Sequence, residues 1–284
     1  VCIVEEVGDS SGIMSGATRF TNNPKELLQA KRAVEVMKAT GLFVDGFSMQ
    51  TGSGGATLAV TRFVKDELIK QDIKLSYALG GITAPMVDLL ENGLVDQLFD
   101  TQSFDLTAAE SCGRNEKHVE VSADFYASIG NKSAAVNRLD FVLLSALEID
   151  TDFNVNVISG SDGVIRAASG GHSDTAAMAK VSIMLAPLTR GRLSTIIDKV
   201  TTVVTPGSTV DVVVTDYGVI VNPTRTDLIE KFTQAGIEMI TMEEARAMAT
   251  RLVGTPKEIE FTDEVVAVVE YRDGSVIDTI RKVK

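Results

Sequence analysis

The sequence predicts an α/β protein, a mostly parallel sheet flanked by helices with a β-hairpin near the C-terminus. Three observations carry this. Apolar stretches of strand length end in glycine and run straight into amphipathic helices, first at Phe47 to Val60 and again at Lys74 to Pro85. Such alternation supplies the crossover connections that parallel pairing requires. Close to the end, Val265 to Tyr271 and Val276 to Arg281 flank Asp273-Gly274, the commonest two-residue hairpin signal.

Taken in order, Val1-Cys2-Ile3-Val4 is an apolar strand-like run without an initiator Met, as expected of a piece of a longer polypeptide. Gly8 to Gly16 is small and polar, and suits either a surface loop near a ligand or a plain connector. Asn22-Asn23-Pro24 provides a cap and a first-turn proline; Leu27, Ala30, Val34 and Met37 follow at helical spacing, and Gly41 stops the helix. Phe47 to Gly55 reads as the end of a strand, a turn of nearly bare backbone and the start of a helix continued by Val60, Phe63, Val64 and Leu68. A second glycine-ended strand, Lys74 to Gly81, precedes a short helix that starts at Thr83-Ala84-Pro85 and closes at Glu91-Asn92-Gly93. Gln97 to Asp100 is strand-like, and Lys117 to Asn137 reads as a helix-containing excursion. Leu139 to Leu147, Phe153 to Ile158 and Val181 to Pro187 read as strands. Val200 to Val204, Val210 to Thr215 and Val219 to Val221 are β-rich, Thr224 to Gly236 is helical, and Thr241-Met242-Glu243-Glu244 has capping-box spacing before another helix. With no linker and no repeat of fixed period, one domain over residues 1–284 is the simplest organisation.

Composition narrows the partners. A chain of 284 residues that is 44% hydrophobic can bury a large core without a metal or a disulfide. Its 27 basic against 39 acidic residues give a formal charge of −12, so a nucleic acid would meet general repulsion. Cys2 and Cys112 lie far apart without CxxC spacing, which argues against a zinc site or a disulfide framework and fits a reducing cytoplasm. No apolar run approaches the roughly 20 residues needed to span a bilayer, and no signal peptide is present, so a soluble, cytoplasmic protein without a membrane partner is expected.

The chemistry is concentrated in glycine turns and arginines. Thr51-Gly52-Ser53-Gly54-Gly55 leaves amides uncovered at a helix N-terminus, where an anion or a developing oxyanion is favoured; taken alone, the pattern is better explained by tight packing at a strand-to-helix junction. In a parallel sheet this turn and Gly80-Gly81 would open onto one edge, beyond the strands' carboxyl ends. Gly170-Gly171-His172-Ser173-Asp174 repeats the theme with one of two histidines and a helix-starting aspartate, His172 reading either as a polar group of the site or as a helix-capping or merely hydrogen-bonded residue. The other, His118, lies among charges and reads as solvated. Arg190 and Arg192 straddle Gly191 just after a strand, where either solvated surface arginines or a bidentate donor for carboxylate or phosphate would stand. The G-x-G-x-x-G spacing of a dinucleotide site is lacking.

Several longer motifs carry a family resemblance: Gln50-Thr51-Gly52-Ser53-Gly54-Gly55-Ala56, Leu90-Glu91-Asn92-Gly93, Asp100-Thr101-Gln102-Ser103-Phe104-Asp105, Leu147-Glu148-Ile149-Asp150, Ser161-Asp162-Gly163-Val164-Ile165-Arg166, Gly170 to Ala177 and Asn222-Pro223. Together they resemble the citrate lyase alpha subunit, a citrate CoA-transferase, across essentially the whole chain. That subunit is built of two CoA-transferase-like halves, and the chain is similar to the C-terminal one. The resemblance implies a CoA-transferase-like fold and an exchange in which citrate replaces acetyl on the phosphopantetheine thioester of an acyl carrier (gamma) subunit, before a beta subunit cleaves the citryl group. It implies no cofactor bound by this chain, no metal, and the missing half as partner. Another short-chain acyl-CoA transferase or hydrolase, or an assembly module, is the alternative.

Such an exchange needs backbone donors for an oxyanion, positive charge for carboxylates and little water. On this footing His172, Asp174 and Arg166 are candidate catalytic groups. Thr51, Gly52, Ser53, Gly54, Gly55, Gly80 and Gly81 are candidates for the thioester, and Gly170, Gly171, Arg190 and Arg192 for citrate. Which loop meets which ligand is open at this level. Many CoA-transferases carry the acyl group on a glutamate in an E-x-G motif at the end of the strand that follows the glycine-loop helix, a place that here reads Tyr77 to Gly81. No carboxylate stands there, and Glu91-Asn92-Gly93 reads as a helix stop, so direct attack by citrate is expected.

Overall fold

A computed structural model of the chain describes residues 3–5, 21–52 and 54–284. The candidate loop Gly8 to Gly16 and Ser53 lie outside the described residues. Helix α1 (Pro24–Ala39) is capped by the Asn23 side chain on the Lys25 amide, with Pro24 in its first turn. Strand β1 (Ser48–Thr51) leads into α2 (Gly55–Gln71), β2 (Tyr77–Ile82) into α3 (Ala84–Glu91), and β3 (Leu98–Ser103) into α4 (Leu106–Arg114). The weak-signal excursion holds β4 (His118–Glu120) and the short α5 (Ala123–Ala127). Next come β5 (Phe141–Ser145), β6 (Glu148–Asp150), β7 (Val155–Asn156), α6 (His172–Met178) and β8 (Val181–Leu185). The last third contains β9 (Thr189–Arg190), β10 (Leu193–Ser194), β11 (Ile196–Ile197), β12 (Val212–Val214), β13 (Val219–Val221), α7 (Thr226–Gln234), α8 (Met242–Val253), β14 (Phe261–Glu270) and β15 (Val276–Val283).

Eight strands form one sheet in the order β13-β12-β8-β5-β1-β2-β3-β4, parallel throughout except for the antiparallel edge pair β12–β13. Both faces are covered, so the central strands are apolar on both sides. In β5, Phe141 and Leu143 join the core under α1 and α2, while Val142 and Leu144 join the core that contains residues of α6 and α8. Two serine–aspartate clasps pin the register at the strands' amino ends. Ser48 N and Oγ lie 2.8 and 2.9 Å from Asp140 Oδ2, and Ser182 N and Oγ lie 2.8 and 3.2 Å from Asp211 Oδ2. No described helix is long and apolar enough to cross a membrane.

Three sequence expectations are corrected. The strand expected over Phe153 to Ile158 is only two residues long, because the Asn156 side chain takes the Ile158 and Ser159 amides at 3.0 and 3.1 Å and turns the chain. Val200 to Val204 is β-rich yet forms no strand. Its amides at Val200, Thr201 and Val203 are instead taken by the carboxylates of Asp150, Glu148 and Asp278. The C-terminal hairpin turns through a longer loop than the two-residue signal implies: Gly274 bonds back to Tyr271 with φ +82° and Tyr271 N–H meets Ser275 O, a turn plus a glycine bulge. The capping box at Thr241 and Glu244 forms in full.

Candidate functional site

Strands β1 to β4 run outward on one side of β1, whereas β5, β8 and β12 run outward on the other. The boundary between β1 and β5 is therefore the topological switch point, where diverging connections leave a crevice beyond the carboxyl ends. A cleft of about 640 Å³ lies there. It is lined by Thr51 at the end of β1 and Gly52 and Gly54 after it, Gly81 of β2, Leu144 to Leu147 at the end of β5, and residues 166–172. Arg190 of β9 also reaches it. Of the candidate residues, Thr51, Gly52, Gly54, Gly81, Arg166, Gly170, Gly171, His172 and Arg190 are thus brought together. Gly55, Gly80, Asp174 and Arg192 are not among the lining residues.

The glycine turn offers fewer bare amides than its composition implies. Gly52 N–H donates to Leu143 O at 2.9 Å, extending the β1–β5 ladder. The Thr57 hydroxyl lies 2.7 Å from the carbonyl oxygens of both Gly52 and Gly54, which ties the turn to the first turn of α2. Gly54 is the N-cap of α2 and supplies no side-chain cap, so the donors and the positive dipole end of this helix begin at the cleft wall.

Elsewhere the glycines clear seats for side chains. A Cβ on Gly80 would stand 2.8 Å from Gln50 Cδ, one on Gly81 1.7 Å from the Phe104 ring, and one on Gly171 2.4 Å from the Tyr126 hydroxyl. Gly80 has φ +103° and sits at a register shift between β2 and β3, a bulge into which the Gln50 amide fits. Gln50, Phe104 and Tyr126 all line the cleft, and none was nominated from sequence. Gln50 and Phe104 stood only as letters of the family motifs, and Gln50 also as a glutamine in an otherwise buried parallel strand; Tyr126 carried no such signal.

His172 cannot supply positive charge. Its ring is buried, with Nε2 3.0 Å from Ser145 O and Nδ1 2.7 Å from Thr205 Oγ1. A carbonyl only accepts, so Nε2 carries the proton and Nδ1 accepts from the threonine hydroxyl. Burial pushes its pKa from 6.5 down to about 4, against the bond to Ser145. Between those values the unfolded chain binds a proton that the native chain does not. Stability is therefore full above about pH 6.5 and is lost as pH falls toward 4. Taking the wild type from pH 7 to pH 5 is expected to cost it about 2 kcal/mol more than a His172→Gln variant, read by urea denaturation at both pH values. Equal losses would refute the neutral assignment.

The remaining candidates are partly separated. Asp174 points away from the cleft to Arg272 at the hairpin turn, Oδ1 to Nε 3.4 Å, which makes it a tether. Arg192 lines a neighbouring cavity of about 830 Å³, beside Glu148, Lys257 and Lys284; Arg166 and Arg190 border both cavities. Arg166 is ion-paired with Asp162 at 2.5 Å. Arg190 donates to Ala146 O at 2.6 Å and makes no ion pair within 4 Å among the described residues; burial pushes its pKa down, and the nearby Glu26 carboxylate opposes that. Glu91 is ion-paired with Arg114 at 2.6 Å on the surface and lines neither cavity. Glu148 is buried and held by the Asn156 side chain and by Thr201 N and Oγ1 at 2.8, 2.9 and 3.2 Å.

His118 is buried, contrary to its charged sequence surroundings. Its ring bonds Ser111 Oγ at 3.0 Å and Asp100 Oδ2 at 3.1 Å, joining α4, β3 and β4. Cys112 lies close enough that Asp100, Cys112 and His118 could jointly offer ligand atoms to a metal. Both ring nitrogens are already engaged, so a metal would have to displace one of these bonds. Burial and the nearby carboxylates of Asp100 and Glu120 push the Cys112 thiol upward, away from the thiolate a metal needs.

Comparison with known proteins converges on one family. The model for "Citrate lyase, alpha subunit (CitF)" matches residues 1–283. The citrate lyase alpha chain of Escherichia coli (strain K12) is 58% identical over 281 residues, covering 99% of this chain and 55% of its own length. That of Haemophilus influenzae is 59% identical, covering 99% and 56%. A crystal structure described as the alpha subunit of citrate lyase in complex with citrate, from Streptococcus mutans, superposes with TM-score 0.95 at 55% identity, over 99% of this chain and 55% of that one. RipA from Yersinia pestis shares the fold at TM-score 0.55 and 17% identity, over 82% of this chain and 53% of its own. The chain thus spans about half the length of the curated relatives it matches.

Proposed function

The chain belongs to the citrate lyase alpha subunit family, and from that premise we propose that it forms one of two CoA-transferase-like halves of a citrate CoA-transferase. The reaction is the exchange of acetyl for citrate on a carrier thioester. A citrate carboxylate oxygen attacks the acetyl carbonyl, and the carbon–sulfur bond breaks to give a mixed anhydride and the carrier thiolate. The thiolate then attacks the citryl carbonyl of the anhydride, the carbon–oxygen bond breaks, and acetate leaves. The observation that carries this reading is the switch-point cleft, in which a helix N-terminus and a guanidinium with no ion-pair partner among the described residues face the same space.

Each residue has a stated part. Arg190, with Arg166 beside it, pairs with citrate's carboxylates, where a planar guanidinium gives bidentate, charge-assisted bonds. The α2 N-terminus at Gly54 stabilises the oxyanion in both steps. Neither glutamate weighed from the sequence serves as acyl carrier: Glu91 is outside the cleft, and Glu148 is engaged in a buried network. The phosphopantetheine belongs to the gamma (acyl carrier) subunit, the product passes to the beta (citryl lyase) subunit, and the N-terminal half completes the site. A reducing cytoplasm is the compartment its cysteine content suits.

The test is an exchange assay with full-length alpha chain, acetyl-CoA carrying labelled acetyl, and citrate. Labelled acetate and citryl-CoA are expected to form in equal amounts, with no acyl adduct after borohydride treatment and mass spectrometry. Hydrolysis without citryl-CoA, or an adduct on Glu91 or Glu148, would overturn the proposal. The present half alone is expected to be inactive until the other half is added.

A further inference from the structure

The cleft is chemically two-sided. Strand order puts Gly81 of β2 and Thr101 and Gln102 of β3 on one side of β1, and the β5 end with Arg190 on the other. Among the described lining residues, formal charge comes only from Arg166 and Arg190. The β2–β3 side is neutral and polar.

At the boundary between the two sides Gln50 of β1 and Tyr126 of α5, 76 residues apart, meet: the phenol oxygen lies 2.9 Å from Gln50 Nε2 and 3.2 Å from Oε1. Both are placed by glycine, Gln50 over the bulge at Gly80 and the Tyr126 hydroxyl over Gly171. Burial pushes the Tyr126 pKa up to about 12, so the phenol stays neutral. A primary amide carries two N–H donors and an oxygen with two lone pairs, more capacity than one hydroxyl can take up. What remains matches a secondary amide, which offers one N–H and one C=O. A carboxylate only accepts, so it has no donor to answer the Gln50 oxygen.

We propose that Gln50 and Tyr126 form the subsite for an amide of the thioester's arm, reached across the switch point from the Arg190 end of the cleft. The inference rests on the exchange reading above and deepens it. Its ligand is a neutral, flexible chain carrying secondary amides near the thioester sulfur, the chemistry of a pantetheine arm.

The test compares full-length wild type with Gln50→Leu and Tyr126→Phe, using acetyl-CoA, which carries amides, and S-ethyl thioacetate, which carries none. Loss of one hydrogen bond predicts that the kcat/KM ratio of acetyl-CoA to S-ethyl thioacetate falls about tenfold in each variant, with the change in the thioester KM. Tyr126→Phe keeps the ring and guards against a folding defect in Gln50→Leu. An unchanged ratio in both variants, or a loss that falls on the citrate KM, overturns the subsite. Wild type that exchanges no acetyl at all would instead defeat the exchange reading.

Discussion

Gly207→Ala is expected to destabilise the chain by about 3 kcal/mol, because a Cβ there would overpack a region that has no slack. It would stand 1.9 Å from Asp152 O, 2.8 Å from Phe153 C and 2.9 Å from Asn154 N, all backbone atoms. That backbone cannot retreat cheaply. Asp150 Oδ1 holds the amides of Asp152 and Asn154 at 3.0 and 2.9 Å, and Phe153 is already at φ +66°. Gly207 itself is fixed from both ends, its N–H by Asn154 Oδ1 at 2.9 Å and its carbonyl by Asn222 Nδ2 at 3.1 Å. For a chain of this size the loss corresponds to a fall in Tm of roughly 6 °C or more. Gly113→Ala is the control, since Gly113 lies in α4 with nothing within 4 Å of its added Cβ. Thermal melts in which both variants fall equally would refute the packing argument.

Arg190→Ala is expected to lower kcat/KM for citrate about 100-fold in the full-length chain, the size of a lost charge-assisted bidentate contact. The effect should fall on citrate and spare the acetyl thioester, because the guanidinium stands on the β5 side of the switch point. Arg190→Lys should recover part of the loss, since it keeps the charge but not the planar fork. Arg192→Ala should change the same quantity less than about threefold, because Arg192 lines the adjoining cavity. Steady-state kinetics with citrate varied decide the point. An Arg192 defect as deep as the Arg190 defect would move the citrate site out of the cleft.

Much of the framework was legible because its signals are local. The proline and asparagine at α1, the capping box at Thr241 and the glycine stop at Gly93 act within one turn of helix, and each stands where the residues placed it. The two glycine-ended strands do open on a common edge. Val200 to Val204 misled because strand propensity counts side chains and not partners: three carboxylates, from residues 148, 150 and 278, took the amides a neighbouring strand would have used. His118 misled for a similar reason, since its sequence neighbours are charged but its contacts are Asp100 and Ser111.

The sequence alone determined the alternation of strand and helix, the hairpin near the C-terminus and the family, because hydrophobic period, turn residues and motif letters are carried by consecutive positions. Tertiary structure alone decided which groups face one another: that His172 is neutral and saturated, that Asp174 and Arg192 are drawn away, and that Gly80, Gly81 and Gly171 make room for Gln50, Phe104 and Tyr126. The physical reason is distance along the chain. Contacts such as Gln50 with Tyr126 or Arg190 with Ala146, separated by 76 and 44 residues, arise only when the parallel sheet brings its carboxyl ends to one place.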